Sequence, residues 1–152
     1  MVSWADFARE EPDLARLGEE RLEATGLCML GTLRANGFPR ISPLEPLLHD
    51  GELYLGMMWR SRKALDLLRD PRLVVHNAHA DKTGKDGDFK LYGRAVDVQD
   101  ADERESFCRA LEAKIGWRPE NDEFHLFKVD VAEVGWFRVV DQGHETRAWR
   151  HA

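Results

Sequence analysis

The sequence contains no long apolar run, only two cysteines and no excess of positive charge. Cys28 and Cys108 stand in unrelated segments without a neighbouring cysteine or histidine, which argues against a disulfide framework and a cysteine-based zinc site. No stretch approaches the length of a membrane span, and the N-terminal segment lacks the pattern of a signal peptide. We therefore expect a cytoplasmic protein with free thiols and no membrane partner.

The charge balance argues against a binder of nucleic acid or of anionic membranes. The formal net charge is −6 at pH 7, whereas both of those functions favour a strong basic excess. The composition, 43% hydrophobic and 33% charged over 152 residues, is typical of a single globular domain that spans residues 1–152. Any site for an anion must therefore be a local concentration of positive side chains.

The hydrophobic patterns predict a mainly β (α+β) fold with helices at its periphery. Turn signals at 35–37 and 49–51 separate short apolar or alternating segments, which favours antiparallel pairing in a closed or partly closed barrel. An N-terminal helical segment occupies residues 1–25 and breaks at Pro12, with starts at Ser3 and Asp13. The other predicted helices are 61–70 and 100–116, and the predicted strands are 27–33, 38–48, 52–58, 72–80, 89–100, 123–140 and 144–150.

The segment WRSRKALDLLRDPR (59–72) predicts a short helix whose first turn carries unexpected positive charge. Ser61 is positioned to cap its start. Arg60, Arg62 and Lys63 stand at the end where the helix dipole is already positive, and each costs about 0.3–1 kcal/mol there. The same end presents free backbone N–H groups, so it is suited to bind a phosphate.

Two interpretations of this basic turn remain open from the spacing alone. In the first, Arg60, Arg62 and Lys63 surround a bound phosphate, and this anion relieves the electrostatic conflict. In the second, the turn is simply solvated, and Arg62 pairs with Asp66 one helical turn further on.

Three motifs in a fixed order connect this helix with a known family. Taken together, they resemble the FMN-binding split barrel of the pyridoxamine 5′-phosphate oxidase-like superfamily, from about Leu27 to Val98. The motifs are a strand opening with Pro39-Arg40, then Ser61-Arg62-Lys63 before a helix that ends in Asp70-Pro71-Arg72, and then Gly93-Arg94-Ala95.

The resemblance implies a fold, a cofactor and an activity. The fold would be a six- to seven-stranded antiparallel split β-barrel with peripheral helices, and the cofactor would be FMN. Family members are usually homodimers whose two flavin sites lie at the subunit interface. The implied function is that of an oxidoreductase in which the flavin carries a hydride or electrons to or from a small organic molecule.

The resemblance also assigns residues to the cofactor, although it identifies no catalytic side chain. Arg62 and Lys63 would bind the flavin phosphate, and Arg40 would reach the phosphate or the ribityl chain. The backbone of the Arg40 strand would lie along the isoalloxazine ring, and the end of the next strand would cover the ribityl and phosphate groups. The complete predicted set is Arg40, Ile41, Ser42, Pro43, Met57, Met58, Trp59, Ser61, Arg62 and Lys63.

Three departures from the family pattern weaken the case for vitamin B6 chemistry. A lysine shortly after the Arg40 position in the true oxidases is Glu45 here, and a glutamine before a later strand is Asp88. Arg147 could match a C-terminal substrate arginine, but at a longer spacing. We therefore take the fold and a flavin-type cofactor from the resemblance, and not the named reaction.

Two alternatives use the same fold. One is a reductase that uses the deazaflavin F420, and the other is a flavin or haem carrier or sensor without turnover. For haem, His76 and His125 are the first candidate ligands. No metal site is predicted, because His76 and His79 have a spacing that does not suit a metal pair on one strand.

Overall fold

The computed structural model describes all residues from 1 to 152 and contains one eight-stranded sheet with four helices around it. No helix is both long enough and apolar enough to cross a lipid bilayer. The helices are α1 (Trp4–Glu10), α2 (Pro12–Thr25), α3 (Arg62–Arg69) and α4 (Ala101–Ile115). The strands are β1 (Cys28–Leu33), β2 (Pro39–Leu44), β3 (Pro46–His49), β4 (Glu52–Met58), β5 (Arg72–Asn77), β6 (Asp88–Asp97), β7 (Phe124–Val140) and β8 (Gly143–Arg150).

The strand order is β2-β1-β5-β6-β7-β4-β3, with β8 paired to the outer half of β7, and every pairing is antiparallel. The strands β2 and β3 form the two ends of this path, yet only Glu45 separates them in the chain. The sheet must therefore curl until its ends meet at Glu45, although no ladder of hydrogen bonds joins them. This is the predicted antiparallel split barrel.

The structure corrects three of the predicted element boundaries. The segment 38–48 forms two strands rather than one, because the chain turns at Glu45 and changes its pairing partner, which raises the count from six or seven to eight. The strand predicted at 72–80 ends at Asn77. Helix α2 begins at Pro12 with Glu11 as its N-cap, so the predicted start at Asp13 is wrong. The break before Pro12 divides the N-terminal segment into α1 and α2, so the structure has four helices. A proline fits this first position because its missing N–H would have no partner there.

The interior of the barrel holds a core of 23 buried residues, to which α1 and α2 contribute Phe7 and Leu14. A second core of seven residues lies under α4, where Phe107 and Cys108 pack against Tyr54 and Phe124. Burial of such apolar side chains contributes about 1.5–3 kcal/mol each. The second core fixes α4 beside the end of β4, which is the region where the candidate site lies.

Candidate cofactor-binding site

The start of α3 keeps free hydrogen-bonding groups. Ser61 is the N-cap residue, as predicted, but its side chain makes no capping hydrogen bond. Its hydroxyl oxygen is buried and has no partner in the protein. Buried polar atoms are nearly always satisfied, so an unpaired hydroxyl beside uncapped N–H groups indicates space for a polar ligand.

A buried carboxylate organises the side of α3. Asp66 is only 3% exposed, and one of its oxygens accepts hydrogen bonds from Thr32 Oγ1 at 2.8 Å and Arg40 Nε at 2.7 Å. Its other oxygen accepts from Arg69 Nη2 at 3.1 Å. Burial raises the pKa of Asp66, but these hydrogen bonds from Arg40, Thr32 and Arg69 outweigh it and hold the pKa below its ordinary value. The ionised group therefore fixes Arg40 of β2 against the helix.

Arg62 does not form the pair with Asp66 that the solvated-turn interpretation requires. Asp66 is engaged by Arg40 and Arg69 instead, and Arg62 takes part in no ion pair or side-chain hydrogen bond. The guanidinium of Arg62 is exposed and remains available to an anion.

An arginine-lined cavity of about 290 Å³ lies on this side of α3. Four guanidinium groups and one carboxylate contribute to its wall, which leaves a net charge of +3. We call it the arginine cavity; its lining consists of Arg34, Ala35, Asn36, Arg40, Arg62, Leu65, Asp66 and Arg69. Such a concentration of guanidinium groups on an acidic protein is suited to bind a phosphate.

A larger cavity of about 800 Å³, which we call the apolar groove, lies next to the start of α3. One wall consists of residues from β2, β4 and the start of α3, namely Pro43, Met57, Met58, Trp59 and Lys63. The opposite wall comes from α4 and the start of β7, with Phe107, Leu111, Ile115 and Phe124. Lys63 Nζ donates to the carbonyl oxygen of Pro43 at 3.1 Å, so the ammonium ties the helix to β2. The charged groups at this groove include the carboxylates of Glu45, Glu120 and Glu123.

A strained turn connects β4 with α3. Arg60 has a φ of 56°, which a non-glycine residue rarely adopts. Its backbone N–H donates to His125 Nε2 at 3.0 Å, and Trp59 stacks on the same imidazole with ring centroids 4.6 Å apart. Because Nε2 accepts this bond, it carries no proton, and desolvation lowers the pKa of His125. The neutral imidazole therefore stabilises the turn that positions the α3 start.

The predicted site residues are divided between the two cavities. Arg40 and Arg62 line the arginine cavity, and Pro43, Met57, Met58, Trp59 and Lys63 line the apolar groove. Ile41, Ser42 and Ser61 line neither, and Ile41 is 71% exposed.

The prediction missed two arginines and the whole wall from α4. Arg69 follows Arg62 at a spacing of seven residues, which puts both on one face of a helix and could have revealed it. Arg34 sits just before the first hairpin turn and carries no comparable signal. The α4 wall depends on tertiary packing.

A family model extends over both cavities. Residues 18–136 match the model described as pyridoxamine 5′-phosphate oxidase, which is well over half of the chain. The chain belongs to the pyridoxamine 5′-phosphate oxidase family. Membership confirms the resemblance carried by the Pro39-Arg40, Ser61-Arg62-Lys63 and Gly93-Arg94-Ala95 motifs.

Solved structures from several bacteria share the fold of this family member. A Clostridium acetobutylicum protein related to general stress protein 26 of B. subtilis has a TM-score of 0.68 and 17% identity, covering 91% of this chain and 96% of its own. An FMN-binding protein from Nostoc punctiforme, related to pyridoxamine 5′-phosphate oxidase, has a TM-score of 0.69 and 15% identity, and the match covers 93% of this chain and 90% of the Nostoc chain. A heme-binding protein from Mycobacterium smegmatis has a TM-score of 0.66 and 20% identity, and the match covers 88% of this chain and 57% of the Mycobacterium chain. None of the curated proteins matches the sequence.

Proposed function

We propose that this family member is an FMN-binding oxidoreductase that exchanges electrons between the flavin and a small organic molecule. The observation that carries the proposal is the start of α3, where unpaired Arg62 and the unpartnered Ser61 hydroxyl stand beside the arginine cavity. The Ser61 hydroxyl is the more informative of the two groups, because a buried polar atom in a purely structural turn is nearly always hydrogen-bonded.

The charges of the two cavities suit the two parts of FMN. The arginine cavity has a net charge of +3 and fits a phosphate, whereas the apolar groove is lined mainly by hydrophobic side chains and fits a flat ring. Arg62 lines one cavity and its neighbour Lys63 lines the other, so both cavities lie beside the start of α3, and in this proposal one FMN occupies both. The bound flavin would supply the redox chemistry, while the protein would orient it and exclude water.

The FMN proposal draws support from the family and from the Nostoc relative that is described as FMN binding. The Mycobacterium relative keeps haem as a second candidate. Haem ligation by His125 would require Nε2 to leave the N–H of Arg60, which favours the flavin. The deazaflavin F420 carries the same combination of phosphate and ring, and direct titration distinguishes it.

We further propose that a second copy of the chain completes the site. Large apolar side chains next to both cavities are exposed to solvent: Phe38 at 65%, Ile41 at 71%, Met58 at 82% and Trp59 at 52%. Large apolar side chains exposed in this number near a candidate site suggest an interaction surface. A homodimer would cover it and would shield the bound ring from water.

The absorbance spectrum of the purified protein tests the function. We expect flavin bands that bleach on addition of NAD(P)H, since reduction changes the chromophore of the bound cofactor. A Soret band would identify haem instead. A colourless protein that binds added F420 but not FMN would replace the proposed cofactor, and a protein that binds none of the three would contradict the proposal.

A further inference from the structure

Three potential metal ligands that line neither cavity lie close together. His76 of β5, His79 of the following loop and Asp88 of β6 place their ligand atoms within 4.8 Å of one another. His79 Nε2 lies 2.6 Å from Asp88 Oδ1. Tetrahedral zinc, with bonds of about 2.0–2.1 Å, requires ligand atoms roughly 3.3 Å apart. Side-chain movements of about an ångström would therefore close the three ligands around an ion.

The hydrogen bond of His76 selects the tautomer in which Nε2 can bind a metal. The Nδ1 of His76 lies 2.7 Å from the carbonyl oxygen of Asn77, and because a carbonyl can only accept, Nδ1 must carry the proton. Nε2 is then left with its lone pair free. Histidine ligands in metal sites are typically oriented by this kind of second hydrogen bond.

The side chain of Asn77 fixes the backbone on both sides of Asp88. Asn77 is 2% exposed, its Nδ2 donates to the carbonyl oxygen of Gly87 at 3.1 Å, and its Oδ1 accepts from the N–H of Phe89 at 2.7 Å. The same residue therefore orients His76 through its carbonyl and holds Asp88 through its amide. This preorganisation goes beyond what a surface histidine–carboxylate pair needs.

We propose that His76, His79 and Asp88 bind a divalent transition-metal ion of the Zn²⁺ type. Two imidazole nitrogens and one carboxylate oxygen suit zinc or cobalt, whereas calcium and magnesium prefer oxygen ligands throughout. A fourth position remains open to water. The ion would tie the loop 78–87 between β5 and β6 to the strand that precedes it.

The spacing of His76 and His79 argued against such a site because both were assigned to one strand. The strand β5 ends at Asn77, so His79 lies outside the strand and its side chain does not follow the alternation of strand faces. Its ring centroid lies 5.7 Å from that of His76. The loop that follows brings Asp88 back to the same place.

Calorimetric titration of the untagged, EDTA-treated protein with ZnCl₂ tests the proposal. We expect one ion per chain, and His76→Ala should weaken the affinity by about 100-fold or more, because a ligand is lost. His151→Ala removes an exposed histidine just beyond the end of β8, where Arg150 pairs with Glu133 and not with the β7 residues opposite Asp88, and should leave the affinity unchanged. Absence of one-to-one binding, or equal binding by His76→Ala and the parent protein, would overturn the proposal.

Trypsin provides a second readout that does not depend on affinity. Lys82 and Lys85 lie exposed in the loop, so bound zinc should slow cleavage there in the parent protein and not in His76→Ala. Equal thermal midpoints of the two metal-free proteins would show that the variant is folded. Cleavage that zinc does not slow in the parent protein would contradict the proposed ion.

Discussion

At the scale of single residues, Asp66 allows a concentration of guanidinium groups to exist inside an acidic protein. Its carboxylate accepts hydrogen bonds from Arg40, Arg69 and the Thr32 hydroxyl. Its negative charge reduces the repulsion between the neighbouring guanidinium groups. Removal of Asp66 is costly because the buried Thr32 hydroxyl and the Arg40 guanidinium, only 24% exposed, would lose their partner.

Replacement of Asp66 by alanine should therefore destabilise the fold. We expect Asp66→Ala to lower the free energy of unfolding by about 3 kcal/mol, as measured by urea denaturation. Asp70→Ala is the matched control, since Asp70 pairs with Arg72 near the surface and screening by water makes that pair weak. Similar losses in the two variants would show that Asp66 has no special role.

The neutral His125 predicts how stability depends on pH. Burial lowers its pKa below 6.5 in the folded state, so the unfolded chain binds a proton more readily. Stability should decrease as the pH falls below about 6.5, because protonation of Nε2 also breaks its bond from the N–H of Arg60.

Thermal unfolding between pH 8 and pH 5 measures this effect. His125→Gln keeps an acceptor but cannot titrate, so its midpoint should fall less over this range than that of the parent protein. Since the variant also loses the stacked ring, we compare the slope of the thermal midpoint against pH and not the absolute stability of the two proteins. Identical slopes would show that His125 does not couple protonation to the turn.

At the scale of elements, local sequence signals are sufficient to predict α3 but not to predict the turn at Glu45. The helix is bounded by Ser61 and Pro71 and has an apolar face, all within a dozen residues. Nothing local distinguishes one long edge strand from two strands at opposite ends of a sheet. That choice depends on whether β1 or β4 is the better partner, which only the closed barrel decides.

The candidate site could likewise be predicted only where a local sequence signal exists. Arg62 and Lys63 were found because their charge conflicts with the dipole of their own helix. The attachment of Arg40 to Asp66 depends on the register that pairs Thr32 with Arg40 across β1 and β2. The wall from α4 lies about forty residues further along the chain, and no local pattern indicates where that helix packs.

The connection between β5 and β6 depends on a glycine. Gly87 has a φ of +103°, and a Cβ there would overlap the ring of Trp136. We expect Gly87→Ala to lower stability by about 2 kcal/mol or more, through both backbone strain and overpacking.

Comparison with Gly37→Ala separates these two causes. Gly37 has a φ of +86° but no neighbour that a Cβ would meet, so this variant carries the backbone strain alone. Gly87→Ala should have the lower thermal midpoint of the two. Equal midpoints would show that the contact with Trp136 contributes nothing.

At the scale of the whole molecule, the proposed homodimer depends on the apolar surface around Ile41. This side chain is 71% exposed and lines neither cavity, and the resemblance assigns only its backbone to the cofactor, so its substitution leaves the cavity-lining side chains unchanged. We expect Ile41→Glu to convert the dimer to a monomer, as measured by size-exclusion chromatography with light scattering, because a buried unpaired carboxylate is unfavourable. Val140→Glu, at an exposed strand end, should leave the dimer intact. A parent protein that is monomeric would contradict the proposed assembly.

Binding of FMN and riboflavin by the parent protein and by Arg62→Ala/Lys63→Ala tests the phosphate site most directly. The two ligands differ only in the phosphate, and the two substitutions remove the Arg62 guanidinium and the Lys63 ammonium, the latter together with its hydrogen bond to the Pro43 carbonyl. Arg16→Ala, an exposed arginine on α2, serves as the control. We predict that the parent protein and the control prefer FMN by about 100-fold or more, from two charge-assisted hydrogen bonds. The double variant should lose most of this preference and keep the part that comes from Arg34, Arg40 and Arg69 of the arginine cavity. A preference for FMN as strong in the double variant as in the parent protein would contradict a phosphate at the start of α3.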